Sequence, residues 1–509
     1  MVRRTLPTTG RVVPVRSWRS DVQHAHVSSR RTGGGRLAPI TVGTTVQRRH
    51  VDDRLGDVAA ELGTCAARFV KEHRLPGASV GVVVPEGLAW SDQVGFSNLD
   101  RRERPASTTL YAIASITKTF TGTAIMQLEA RGLVDLDAPL STYLPELERA
   151  DSSFGPFDVV TLRRVLSHES GLAEEPPGTD WPLHVREPSP SEVLRRSSEI
   201  GTKVLPNSQW KYSNLGYQLL GEVVARVSAT PYVEWIRREI LQPLAMTSTE
   251  WPPLAPELGA RRATGYQPRT FSDELEVADS SMLAWAEGGL WSNVEDLARW
   301  LAFQLGAYGS SALESPVLSC ATRRLMHKAR YLVDDRWTRA WGISWYSVRR
   351  DDGIWIQHSG GWDGFITDVC FDPVAGVGAI ALLNGVGDAP SLAMDLGTIA
   401  RRALAAAPPT ITPSAPTPRA YRPLLGVYAD SEYGSLVQVE WRDGALVVVA
   451  PTNPTYQITL LERETPDTFV VAPGVRPSGE VVTFERRADG RVVAMFLAVA
   501  TFRRLDVLD

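Results

Sequence analysis

Apolar and polar positions divide this chain into stretches of different period. An amphipathic pattern from about Val51 to Glu72 predicts a helix. The apolar run in Pro76-Gly-Ala-Ser-Val-Gly-Val-Val-Val84 predicts a buried strand, with a second strand ending in a turn over Gly95–Arg102. Phe120, Ile125, Met126 and Leu128 recur near helical spacing, and Gly132 marks the stop. Short helices are predicted over Thr161–His168 and Tyr232–Ile240, a longer one over Asn214–Val227, and one to about Leu305 behind a capping box at Ser292-Asn-Val-Glu295. Trp341–Val348, Ile354–Gln357, Thr367–Asp372 and Gly378–Leu383 read as strands, followed by a helix to about Ala406. Helices in the middle with strands towards both ends predict a layered α+β domain over residues 51–406.

Beyond this the pattern changes. Pro, Thr and Ala dominate Pro408–Pro418, so residues 407–419 read as an extended linker. Residues 420–509 carry short alternating runs with turn signals at Arg442-Asp443-Gly444 and Ala488-Asp489-Gly490, which predicts a small antiparallel barrel or sandwich. Residues 1–50 are rich in Arg, Ser, Thr and Gly and read as a disordered tail. They lack the apolar core of a secretory signal, and the expectation is a cytoplasmic protein.

Composition narrows the class. The chain has 509 residues, enough for two or three domains, and 43% hydrophobic with 22% charged residues is ordinary for a globular protein. A net charge of −4 gives no basic footprint for nucleic acid, and no apolar run is long enough for a membrane span. Cys65, Cys320 and Cys370 stand far apart, so neither a disulfide framework nor a metal site is indicated; no phosphate loop appears and no cofactor is implied. Nothing in the sequence sets the oligomeric state.

The candidate chemistry starts at Ser115-Ile-Thr-Lys118. A Ser and a Lys three residues apart share one helix face, and a Ser at a helix start lies among free backbone N–H groups. Burial favours the neutral amine, which can withdraw the hydroxyl proton. Lys71, Lys118, Lys203, Lys211 and Lys328 are the only lysines, so few positions offer an amine base. The same spacing recurs in Ser208-Gln-Trp-Lys211, which reads as loop. Tyr212-Ser-Asn214 precedes an apolar helix and can point a phenol and an amide into a cleft. His358-Ser359-Gly360-Gly361 combines small residues that let a substrate lie against a strand backbone. Gly77-Ala-Ser79-Val-Gly81 matches a nucleophile elbow in letters, but a strand follows it where a helix is needed. His168 reads as structural, and Glu174-Glu175, ahead of two prolines, as exposed loop.

Taken in order, Ser115-x-x-Lys118, Tyr212-x-Asn214 and His358-Ser-Gly360 resemble the serine β-lactamase and penicillin-binding-protein superfamily, in its class C-like serine hydrolase branch. Leu166-Ser-His-Glu-Ser-Gly-Leu172, Leu241-Gln-Pro-Leu-Ala-Met246 and Gly288-Gly-Leu-Trp-Ser292 are also family-like, and the likeness runs from about residue 60 to 400. The resemblance implies an antiparallel sheet flanked by helices with an all-helical subdomain, followed by a lipocalin-like β domain. It implies that Ser115 forms an acyl-enzyme, that Lys118 and Tyr212 share acid–base work with Tyr212 the preferred base, and that Asn214 orients Lys118 and the substrate amide. It assigns the oxyanion hole to the N–H groups of Ser115 and Gly361, with His358, Ser359 and Gly360 lining the substrate strand. His358 replaces a lysine of true β-lactamases and is less reliably cationic, so β-lactamase activity is expected to be weak. The implied substrate is a small-molecule or peptide acyl compound: an ester or a D-amino-acid amide. Transfer from a peptidyl thioester and an inactive binding module are the alternatives.

Overall fold

A computed structural model describes residues 44–505 except 151–152, 155, 180–187, 270–273, 279–284, 310–311, 352, 406–416, 431–435, 443, 451–452, 464, 476 and 498–499. The expected tail lies outside the described residues as far as 43, and its end is helical instead. The expected linker lies outside them through 416.

Helix α1, Thr44–Glu72, leads into strands β1, Gly77–Val84, and β2, Gly87–Gly95. Helices α2, Thr117–Ala130, α3, Asn214–Ser228, and α4, Val294–Leu305, follow. Strands β3, Tyr331–Leu332, β4, Arg339–Trp341, β5, Tyr346–Arg350, β6, Gly353–Trp362, β7, Phe365–Asp372, and β8, Val377–Leu383, precede helix α5, Ala389–Ala405. The sheet runs β2-β1-β8-β7-β6-β5-β4-β3 with antiparallel neighbours.

Strand β8 explains the layering. Ala379, Ala381 and Leu383 pack with Leu62 and Ala66 of α1 and Leu392 and Leu396 of α5. Ile380 and Leu382, on the opposite face, join Phe120 of α2 and Leu297, Trp300 and Leu301 of α4. A strand covered on both sides needs an unbroken apolar run, which is what the sequence carries there.

Three local expectations are corrected. Asn293, not Ser292, caps α4: its Oδ1 accepts the Asp296 N–H at 2.9 Å, while Ser292 pairs in a short strand with Tyr111. The run Trp341–Val348 is broken into β4 and β5 by a turn in which Ser344 takes φ +59°. The helix from Tyr232 is α-helical only to Ile236 and continues as a π turn over Arg237–Leu241.

The C-terminal region is a closed antiparallel barrel. Its strands are β9, Gly426–Asp430; β10, Leu436–Arg442; β11, Ala445–Ala450; β12, Asn453–Glu462; β13, Thr468–Val471; β14, Val481–Arg486; β15, Val492–Leu497; and β16, Ala500–Arg504. Pairing of β9 with β16 closes it, which leaves no free edge. Gly444 and Gly490 sit at φ +78° and +83°, at the two hairpin turns read from the sequence.

Candidate active site

Ser115 lies in a single 3₁₀ turn, Ala114–Ile116, that runs directly into α2. Ala114, buried just before it, holds φ +45°, a conformation that costs a non-glycine residue about 1–3 kcal/mol. The surroundings impose it. Ile113 N–H donates to the Leu290 carbonyl at 3.0 Å, and Thr367 Oγ1 donates to the Ile113 carbonyl at 3.2 Å. Gly360 of β6 presses on the same carbonyl: a Cβ there would stand 2.1 Å from Ile113 O. The turn and β6 are therefore closer than any side chain at 360 permits.

Lys118 is fully buried. Its Nζ donates to Ser115 Oγ at 3.0 Å and to the Glu287 carbonyl at 2.6 Å. The same nitrogen lies 4.8 Å from the Tyr212 ring centroid and 5.6 Å from that of Tyr217. These faces suit the cation that the amine becomes once it takes a proton.

Tyr212 and Asn214 flank Ser213, the N-cap of α3, whose hydroxyl accepts the Gly216 N–H and donates to the Ala173 carbonyl. His168 anchors this turn twice. Its Nδ1 accepts the Ser213 N–H at 3.1 Å, and its carbonyl accepts the Lys211 N–H at 2.8 Å. Its ring lies 4.4 Å from the Tyr212 ring and 4.8 Å from the Trp341 ring. Burial above all, with the Lys118 amine adding to it, holds the imidazole well below its ordinary pKa, so it is neutral. Where the sequence reading had it bonding between layers, His168 is bonded to the Tyr212–Asn214 turn.

The His358–Gly361 stretch lies inside β6, beyond the strand end read from the sequence at Gln357. His358 Nδ1 donates to the Ser359 carbonyl at 2.7 Å, and burial followed by the Lys118 charge pushes its pKa down to about 3. It is thus a neutral imidazole. Ser359 Oγ accepts from Tyr346 Oη at 3.4 Å. Gly361 is exposed and pairs with Ile366 across β7.

Asn214 Nδ2 donates to Glu175 Oε1 at 2.7 Å. Glu175 is therefore not the exposed loop residue expected; it is half-buried against the start of α3, while Glu174 is exposed. Glu287, Thr367 and Glu175 are the contributors that the sequence reading missed.

The other candidates fall away. Ser208 and Lys211 lie in a loop. Ser79 is buried within β1, 3.0 Å from Tyr111 Oη. The three cysteines are free and buried, and no acid, His and Cys cluster suited to a metal occurs among the described residues. Nor is any described helix long and apolar enough to cross a membrane.

Comparison with known proteins gives the same outline. The family model described as Beta-lactamase matches residues 62–404. Protein flp of Staphylococcus aureus (strain COL) is 24% identical over 347 residues, 64% of this chain; the chain spans only 63% of that relative's length. D-alanyl-D-alanine-carboxypeptidase/endopeptidase AmpH of Escherichia coli (strain K12) is 28% identical over 288 residues, 55% of this chain and 72% of AmpH. Among solved structures, the octameric penicillin-binding protein homologue from Pyrococcus abyssi has a TM-score of 0.58 at 22% identity, covering 87% of this chain and 99% of its own. SurE has a TM-score of 0.55 at 22% identity, covering 89% of this chain and 100% of its own.

Proposed function

The chain belongs to the beta-lactamase family, a family of serine hydrolases, and from that premise we propose that it forms an acyl-enzyme at Ser115 and hydrolyses an ester or the amide or peptide bond of a D-amino acid. The observation that carries the reading is the Ser115 hydroxyl 3.0 Å from the buried amine of Lys118. The identity to AmpH, a D-alanyl-D-alanine-carboxypeptidase/endopeptidase, favours a D-configured substrate.

The steps follow from the groups present. The Lys118–Tyr212 pair takes the Ser115 proton while Oγ bonds to the acyl carbon. The N–H groups of Ser115 and Gly361 hold the developing oxyanion, each such donor contributing about 2.7–4 kcal/mol. The bond to the leaving oxygen or nitrogen breaks as Lys118, with Tyr212, returns the proton to it. Water then attacks the acyl carbon, gives its proton to the same base, and Ser115 leaves with its hydroxyl restored. A neutral His358 supplies no cation for a substrate carboxylate, so ordinary penicillins are poor substrates.

The test is intact-protein mass spectrometry after brief exposure to a p-nitrophenyl ester, a penicillin and a D-Ala-terminated peptidyl thioester, with Ser115→Ala alongside. An adduct confined to wild type, with the ester turned over and the penicillin not, is expected. Labelling by the thioester alone moves the assignment to acyl transfer, and no labelling at all moves it to a binding module.

A further inference from the structure

A cavity of about 750 Å³ stands apart from the groups used so far. Its walls are apolar and partly aromatic, with Val233, Trp251, Leu254, Leu258 and Trp285 among them. Neither Ser115, Lys118, Tyr212, Asn214 nor His358 is among the described residues that line it. A concave, mostly apolar space of this size is the usual form of a small-molecule site. Its two charged wall residues, Arg237 and Glu250, are engaged with each other. Arg237 Nε and Nη2 donate to Glu250 Oε2 and Oε1 at 3.1 and 2.9 Å, and Arg237 Nη1 donates to Glu234 Oε2 at 2.8 Å. Glu250 Oε1 also accepts the Trp251 N–H at 2.9 Å. A charged ligand would have to break these charge-assisted bonds, so the walls suit an uncharged one.

The same walls reach the Lys118 amine by two routes. Trp251 Nε1 donates to the Trp285 carbonyl at 3.2 Å, the Trp285 N–H donates to Glu287 Oε1 at 3.0 Å, and the Glu287 carbonyl accepts from Lys118 Nζ at 2.6 Å. The Trp251 ring also meets the Tyr232 ring edge-on, 5.6 Å between centroids. Tyr232 Oη bonds Thr121 Oγ1 at 2.7 Å, and Thr121, three residues after Lys118 in α2, donates to the Ala286 carbonyl at 2.5 Å. Residues 285–287 are thus held from the cavity wall, and they in turn hold Lys118.

Resting on the acyl-enzyme reading above for its effect on rate, we propose that this cavity is a second binding site, that it takes an uncharged aromatic ring compound, and that its occupancy speeds acylation of Ser115 through residues 285–287. A ring packed against Trp251 and Trp285 restrains the segment whose carbonyl aims the Lys118 amine. The coupling is between two distinct sites.

The test uses indole as the uncharged ring and indole-3-carboxylate as its anionic counterpart. Calorimetry gives Kd for both in wild type, Ser115→Ala and Ala255→Trp. Ala255 lines the cavity, is exposed, and has φ −55° and ψ 149°, an extended conformation open to Trp, so A255W fills the space and keeps the fold. Indole should bind wild type and S115A alike, A255W at least tenfold more weakly, and at least tenfold more tightly than the carboxylate. In parallel, acylation by p-nitrophenyl acetate is followed with and without saturating indole. The rate at saturating ester should rise at least twofold in wild type and stay unchanged in Trp251→Phe, which keeps a ring but loses the N–H to Trp285. Absence of indole binding, binding that A255W does not weaken, or competition between indole and the ester overturns the site. A carboxylate bound as tightly as indole overturns the uncharged class. Bound indole that leaves acylation unchanged, or speeds it equally in W251F, overturns the coupling. If no donor acylates Ser115, the hydrolase reading falls, while indole binding to S115A that is lost in A255W still supports the second site.

Discussion

Ser115 and Lys118 stand one helical turn apart, and the groups around the amine decide what that spacing can do. Two acceptors, the Ser115 hydroxyl and the Glu287 carbonyl, aim Nζ, and the Tyr212 and Tyr217 rings face the same nitrogen. We expect Lys118→Ala to lower kcat/KM by about 10²–10⁴-fold, the usual worth of a general base, and Ser115→Ala to abolish the covalent adduct. Stopped-flow acylation with a p-nitrophenyl ester measures the first, and a loss below tenfold would remove Lys118 from its role. His358 makes a separate prediction. Its folded pKa of about 3 lies below its ordinary 6.5, so the stability it contributes is complete above pH 6.5 and is lost as pH falls from there towards about 3. At pH 5 the loss is about 2 kcal/mol. Asp368, buried and held well above its ordinary carboxyl value, acts with the opposite sign, so the comparison must be between wild type and His358→Asn. The melting temperature of wild type should fall more steeply between pH 7 and 5 than that of the variant; parallel curves would mean that His358 is not neutral in the folded state.

At the level of elements, the approach of β6 to the Ser115 turn is the feature most sensitive to a single methyl group. A Cβ at 360 meets the Ile113 carbonyl at 2.1 Å and Thr367 Oγ1 at 2.8 Å, so Gly360→Ala must push β6 away from Ser115. Overpacking of this kind costs about 1–3 kcal/mol, and misplacing an oxyanion donor costs about 10²–10³ in kcat. Steady-state kinetics with a melt in parallel check both, and wild-type kinetics in the variant would mean that the strand does not set the hole. Elements whose signals are local were legible in the sequence. Gly132 stops α2, the apolar run of β8 is buried on both faces, and Gly444 and Gly490 turn their hairpins. What the sequence hid depends on distant partners. The break between β4 and β5 arises where Tyr217 Oη bonds Ser344 Oγ, 127 residues away. The place of Glu175 depends on Asn214, 39 residues on, and a charged pair before two prolines has the composition of a solvated loop. The cap at Asn293 was missed for a simpler reason: Ser292 also satisfies the capping-box letters, but it is committed to a strand with Tyr111.

On the scale of the whole molecule, the question is whether the barrel takes part in the chemistry. The contacts that fix the candidate groups come from a limited span. Glu287 and Ser115 hold Lys118, His168 and Ala173 hold the Tyr212–Asn214 turn, and Thr367 and Gly360 hold the turn of Ser115. The barrel is built around its own apolar cluster, with Tyr428, Phe469, Phe484, Met495 and Phe502 inside, and its strands pair in a closed ring. A closed ring has no edge strand waiting for the neighbouring sheet to complete it. We therefore expect the chain truncated after residue 406 to acylate Ser115 within about threefold of the full-length rate, a difference under ~0.7 kcal/mol in barrier. In calorimetry it should lose the enthalpy of the barrel and keep a cooperative transition for the remaining core. A tenfold or greater drop in acylation with that transition intact would mean that the barrel shapes the cleft. Loss of the transition itself would mean that the two regions fold as one cooperative unit.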